Sequence, residues 1–336
     1  MMKKHLALLL LLILCLSVVS CGKKDPGGEE SGPTDSSTGS ETLPKEDPPR
    51  STGDPISVDL ILFMGGSNMA GRGGDSPATT CGEGHAYEFR AISDPTALYP
   101  ITNDFGKSEN KSYHVDDGDR KSGSMVPAFC EAYYEESGVP VVAVSCSEGD
   151  TSSAQWLAGE GKIEDALERL EAAKAFLNSS ELYKIRHTYM VWCQGEADGD
   201  TNVSGETYLT NLGTIMNTMV RRGVEKCMII QTGGRVDDGA RYQEIQTAQE
   251  ELCRRNDNAV MISDMLTAMT DWIREQNLYS QEVYNQVGAN AGKNAARYGK
   301  DPENYEMIGA EKPPVPEAPE DNQYNGSGVE LPIDRF

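Results

Sequence analysis

Five short apolar runs recur along the chain, at Val58–Phe63, Val139–Ser145, Thr188–Cys193, Cys227–Gln231 and Ala259–Ser263. Helical patterns lie between or after them, over Met125–Glu136, Lys162–Leu177, Gly205–Arg222, Ala240–Arg255 and Gln281–Tyr298. Apolar runs of this length read as strands buried on both faces. Strands separated by helices need crossover connections, and crossovers make a sheet parallel. The predicted fold class is therefore α/β, a three-layer α/β/α arrangement around a central parallel sheet of about five strands. In open sheets of this kind ligands sit beyond the carboxyl ends of the strands, so the chemistry is sought in the residues that follow each run.

The two ends differ from this middle. Lys3 and Lys4 precede a leucine-rich core from Leu6 to Leu16, and Val18-Val19-Ser20-Cys21-Gly22 follows. Residues 1–21 read as a signal peptide and not as a spanning helix. A small residue before Cys21 resembles the lipobox of bacterial lipoproteins, which implies a lipid on Cys21 and a protein anchored on the extracytoplasmic face of a bacterial cell envelope. Residues 22–55 are Gly, Ser, Thr, Pro, Asp, Glu and Lys with almost no apolar residue, and read as a disordered tether. Residues 302–336 form a Pro/Glu-rich tail, which leaves 56–301 as one large domain.

The formal net charge of −23 argues against nucleic acid and against direct binding to an anionic membrane surface. With Cys15 and Cys21 set aside, Cys81, Cys130, Cys146, Cys193, Cys227 and Cys253 remain. No two are spaced as a zinc motif requires. Several fall in or beside apolar runs, so buried free thiols are favoured over any specific bridge.

The first run ends in Gly65-Gly66-Ser67-Asn68. Glycines allow a sharp turn that exposes a serine hydroxyl at the strand's carboxyl end, although a phosphate loop or a helix cap would use similar residues. The second run leads into Ser147-Glu148-Gly149-Asp150-Thr151-Ser152, with Trp156 beyond, and the third into Gln194-Gly195-Glu196-Ala197-Asp198. A nucleophile at Ser67 and oxyanion donors at the Ser67 N–H, the Gly149 N–H and the Gln194 amide are expected at one rim. Such chemistry needs side chains and backbone donors alone, so no cofactor and no metal is expected.

Gly65-Gly66-Ser67-Asn68-Met69-Ala70-Gly71-Arg72-Gly73 resembles the Gly-Gln-Ser-Asn-Met block of the sialate O-acetylesterase and acetylxylan esterase branch of the SGNH hydrolase superfamily. The blocks at Gly149–Ser152, with Trp156, and at Gln194–Asp198 fit it too, as does Ala86–Pro95, and the resemblance covers about Val58 to Tyr298. It implies a flavodoxin-like sandwich, a catalytic Ser67, the same oxyanion set and an Asp-x-x-His before the last helix. Here Glu275 stands at the aspartate position and Leu278 at the histidine position, and Gly66 replaces the usual glutamine. Leucine cannot accept a proton, so efficient triad catalysis is not expected. His85, His114 or Glu275 would have to serve instead, whereas His187 precedes its strand and belongs at the far end of the sheet.

Four further residues are candidate substrate contacts: Arg72, and three that each have a plainer alternative, Asn68 as a helix cap, Trp156 as filler of the rim and Glu196 as a solvated loop carboxylate. Asp198 and Asp200 likewise read as loop carboxylates more readily than as a cation site. Gly288 and Gly292 are expected to permit close helix packing. The functional expectation is a surface-tethered carbohydrate O-acetylesterase-like hydrolase acting on an O-acetylated glycan or similar small ester. The alternatives are a glycan-binding module without catalysis and a purely structural lipoprotein.

Overall fold

The computed structural model describes residues 53–74, 76–112 and 114–310. The signal-peptide and lipid-anchor readings, most of the tether and the tail from residue 311 lie outside the described residues. From the amino end the elements are β1 (Ile56–Gly65), α1 (Ser67–Ala70), β2 (Ala86–Arg90), β3 (Asp94–Pro100), β4 (Lys111–Ser112), β5 (Val115–Asp116), α2 (Val126–Ser137), β6 (Val141–Ser147) and α3 (Lys162–Ser179). There follow β7 (Tyr183–Cys193), α4 (Glu196–Asp200), α5 (Gly205–Val220), β8 (Lys226–Ile230), α6 (Gln243–Arg255), β9 (Ala259–Ser263), α7 (Met265–Ala268), β10 (Ile273–Glu275), β11 (Leu278–Tyr279) and α8 (Gln281–Lys300).

The main sheet has seven strands in the order β3-β2-β6-β1-β7-β8-β9. All pairs in it are parallel except β2 with β3 at the edge. Strand β1 is central, and its side chains alternate between two apolar layers. Leu60, Leu62 and Met64 face α3, α5 and α6, while Ile61 and Phe63 face α2, α7 and α8. Burial on both faces is why these runs are mostly apolar; the buried exception in β1, Asp59, accepts from the Tyr133 hydroxyl, Arg186 and the His187 N–H.

The expectation of about five strands was short by two. Strands β2 and β3 come from the segment between Gly71 and Gly123, where no apolar run announces them. Ala86–Arg90 carries charged residues, and β3 contains Pro95 and Pro100, which suit only an edge strand. The domain also continues past residue 301. The Tyr305 hydroxyl donates to Met261 O at 2.9 Å, and the Ile308 N–H donates to Asn294 Oδ1 at 2.9 Å.

Helices α2 and α8 lie close because Gly288 and Gly292 carry no side chain. A Cβ at Gly288 would fall well under 3.0 Å from Met125 O, and one at Gly292 equally close to Phe129 O. All six cysteines of the domain are free thiols, four of them buried. Among the described residues no helix is long and apolar enough to cross a membrane.

Candidate active site

Strand β1 ends against β7, where Gly66 donates its N–H to Cys193 O at 2.9 Å. Gly65 has φ +138°, and a Cβ there would collide with the Cys193 backbone, so the turn into α1 requires glycine. Ser67 is the first residue of α1 and lines a cavity of about 280 Å³ at the carboxyl end of the sheet. Arg72, Asp150, Glu196, Asn277 and Leu278 share that lining. A larger groove of about 600 Å³ between α5 and α6 shares none of these residues.

Among the described residues both hydrogen bonds of Ser67 Oγ go to Asp150. Oγ accepts the Asp150 N–H at 3.0 Å and donates to Asp150 Oδ1 at 3.4 Å. Asp150 adopts φ +61°, a conformation aspartate tolerates better than most residues. Its Oδ2 accepts from Arg120 Nη1 at 2.6 Å, and Arg120 Nε lies 2.6 Å from Asp117 Oδ1. Asp117 Oδ2 then accepts from Arg72 Nη2 at 2.6 Å and from the Gly149 N–H at 2.8 Å. Gly149 has no room for a side chain. A Cβ there would stand 2.5 Å from Arg72 Nη2 and 2.9 Å from Ser67 Oγ.

The three expected oxyanion donors meet around the Ser67 turn, but two already have protein acceptors. The Gly149 N–H is taken by Asp117. The Gln194 amide nitrogen donates to Thr151 O at 2.8 Å and to Asp198 Oδ2 at 2.5 Å. Both donors are buried, and buried donors find partners. Gln194 Oε1 is also buried and, among the described residues, has none. A side chain at Gly66 would meet Gln194 Cγ at 3.2 Å.

Two candidate substrate contacts are corrected. Asn68 makes no cap and does not line the cavity. It is fully buried, donating to Glu196 Oε1 at 2.6 Å and Asn277 O at 3.3 Å and accepting from the Tyr284 hydroxyl at 2.7 Å. Trp156 is also fully buried, edge-on to Trp192 with its indole N–H on Thr151 Oγ1 at 3.1 Å, so it offers no stacking face to a sugar. Arg72 and Glu196 do line the cavity. Glu196 is not a solvated carboxylate: burial raises its pKa above the usual range. Asp198 is buried as well, accepting from Ser153 Oγ and the Ser153 N–H. Asp200 pairs with Arg235 and Arg241.

Leu278 lines the cavity from β11. Glu275, on the exposed side of the β10–β11 hairpin, makes no hydrogen bond to Ser67. The histidines stand elsewhere. His85 hydrogen-bonds Glu131 and stacks on Tyr134, and His187, which lies within β7 and not before it, pairs with Glu225. His114 lies against Gly161 at the start of α3. The His85, His114 and Glu275 substitutes are thus not realised, because each is committed to, or placed in, other surroundings. Among the described residues no group of His, Cys, Asp and Glu is placed to hold a metal ion.

Asp117, Arg120, Asp150 and Lys121 carry much of this site, and sequence reasoning assigned none of them a role. Asp116-Asp117-Gly118-Asp119-Arg120-Lys121 looks like an ordinary solvated charge run. Only folding buries Asp117 and Lys121. Lys121 Nζ donates to Ala70 O at 3.0 Å, inside the nucleophile turn, and to Ser147 Oγ at 3.1 Å. Burial pushes its pKa down to about 7.

The mostly parallel sheet between two helical layers is a three-layer α/β/α sandwich, with a strand-end serine lining a cleft at its carboxyl edge. The family model described as "Carbohydrate esterase, sialic acid-specific acetylesterase" matches residues 57–272, and the chain belongs to that family of carboxylic ester hydrolases. A solved protein from Arabidopsis thaliana shares the fold with a TM-score of 0.54 at 20% identity, over 72% of this chain and 98% of that one. A carbohydrate acetylesterase from Xanthomonas citri has a TM-score of 0.48 at 13% identity, over 71% of this chain and 56% of its own. A lipase/acylhydrolase from Enterococcus faecalis has a TM-score of 0.40 at 16% identity, over 71% and 96%. No curated protein matches the chain in sequence.

Proposed function

We propose that this protein is a slow carbohydrate O-acetylesterase, forming an acyl-enzyme on Ser67 and tethered outside the cell by a lipid on Cys21. The observation that carries the reading is Ser67 at the carboxyl end of the central strand, lining a cavity in a chain of the carbohydrate-esterase family. The family points to an O-acetylated glycan, of sialic acid or xylan type, as substrate. The lipid anchor rests on residues 1–22 alone.

Slowness follows because, among the described residues, no histidine stands at the nucleophile. A serine hydroxyl attacks poorly without an adjacent base, and the cavity lining among the described residues includes Leu278 and no histidine. In serine hydrolases, loss of the histidine costs roughly 10⁶-fold in turnover, while binding and oxyanion donors retain about 10³–10⁴ over water. Leu278 gives the acetyl methyl an apolar wall. A second reading, glycan binding without turnover, draws support from the Gly149 and Gln194 donors being already paired.

Hydrolysis of 4-nitrophenyl acetate and of O-acetylated sialic acid and xylan by the purified protein, beside Ser67→Ala, tests the proposal. Weak turnover lost in Ser67→Ala is expected. Glycan binding with no serine-dependent turnover would establish the second reading instead.

A further inference from the structure

We propose that Asp150 is the proton acceptor for Ser67, so that a serine–aspartate pair replaces the serine–histidine pair; this rests on the esterase reading above. Asp150 is the residue that both donates to and accepts from Ser67 Oγ, through its N–H at 3.0 Å and its Oδ1 at 3.4 Å. Distances to a catalytic base are often long before substrate binds and tighten afterwards. The carboxylate is held at its other oxygen by Arg120, itself anchored to buried Asp117, so Oδ1 remains directed at the serine. Asp150 also lines the cavity with Ser67, within reach of a leaving group.

The step balances without any further reactant than water. As Ser67 Oγ bonds to the acyl carbon, its proton passes to Asp150 Oδ1 and the carbonyl electron pair moves onto the carbonyl oxygen. Collapse of the tetrahedral species breaks the bond to the sugar oxygen, which leaves with the proton from Asp150. Water then attacks the acyl-serine, gives its proton to Asp150, and Ser67 Oγ departs by taking that proton back. The product is the free acid. A carboxylate is a weaker base than imidazole, in keeping with slow turnover.

The test uses the full chain with 4-nitrophenyl acetate, and in parallel the labelling of Ser67 by a fluorophosphonate probe. Asp150→Asn keeps the backbone N–H and suits a positive φ. Asp150→Gly suits it too and leaves space for a small carboxylate. Both variants are expected to lose about 10²-fold of the Ser67-dependent rate, and added formate is expected to restore Asp150→Gly but not Asp150→Asn or Ser67→Ala. Variants that react as the parent does, or an Asp150→Gly loss that formate leaves unrepaired, would overturn the assignment while leaving the esterase reading standing. A parent with neither serine-dependent turnover nor labelling would instead remove the esterase reading, and this inference with it.

Discussion

Arg72 Nη2 and the Gly149 N–H both donate to one oxygen, Oδ2 of Asp117, at 2.6 and 2.8 Å. Asp117 comes from the segment between β1 and β6, Arg72 from just past the nucleophile turn and Gly149 from the end of β6, so one carboxylate ties three chain segments beside Ser67. Its side chain is 0% exposed and that of Arg72 is 13% exposed. Asp117→Ala leaves the Arg72 guanidinium without its carboxylate, with Nη1 still on Gly71 O, and the buried Gly149 N–H without its acceptor, and a loss of about 3 kcal/mol is expected from urea unfolding.

Leu278 faces the cavity that Ser67 lines. Leu278→His is expected to raise serine-dependent hydrolysis of an aryl acetate at least about tenfold and to add an acid limb near pH 6.5, the ordinary range of imidazole. Steady-state rates from pH 5 to 9 check both. An unchanged rate would mean that the β11 position does not reach the nucleophile.

Helices α2 and α8 meet through Gly288 and Gly292, where Cβ atoms would intrude on Met125 O and Phe129 O. These clashes are with backbone, which cannot rotate away. Gly292→Ala is therefore expected to destabilise the domain by about 2–3 kcal/mol, measured as a lower denaturant midpoint with an unchanged m-value.

Lys121 makes stability depend on pH. Its folded pKa is depressed to about 7 from 10.5, so between these values the unfolded chain holds a proton that the folded chain has lost. Stability from this residue rises with pH across that window, by at most about 1.4 kcal/mol per pH unit. Above about pH 9 the opposite sign enters, because burial raises the thiols of Cys146 and Cys253 from 9.0 to about 12. Unfolded thiols then lose protons that folded ones keep. Thermal melts are expected to show a rise from pH 7 to 9 in the parent, flattened in Lys121→Met, and a fall beyond 9 in both.

Trp156 is enclosed against Trp192. Trp156→Ala is expected to cost about 3–5 kcal/mol of stability through an unfilled cavity. Trp156→Phe, which keeps most of the volume, is expected to leave KM for an acetylated sugar unchanged. A KM effect in the Phe variant would restore the tryptophan as a sugar contact.

The five strands β1, β6, β7, β8 and β9 were legible because a strand covered on both faces is largely apolar, as Leu60 to Met64 are. Ser67 was legible because its turn requires Gly65, whose φ of +138° admits no side chain. Periodicity and glycine are local consequences of backbone geometry, so the one-dimensional chain records them. Strands β2 and β3 left no such record: an edge pair tolerates prolines and charge.

The polar surroundings of Ser67 were decided by tertiary structure alone. Asp117, Arg120, Lys121 and Asp150 are common surface residue types, and a charge run reads the same whether it ends in water or under a sheet. Asn68 and Trp156 carry the opposite lesson, since residue types suited to ligands were spent on the interior. Patterning determined the sheet and the place of the serine; which groups touch that serine depended on how segments far apart in sequence fold back together, and pairwise contacts of that kind leave no period to read.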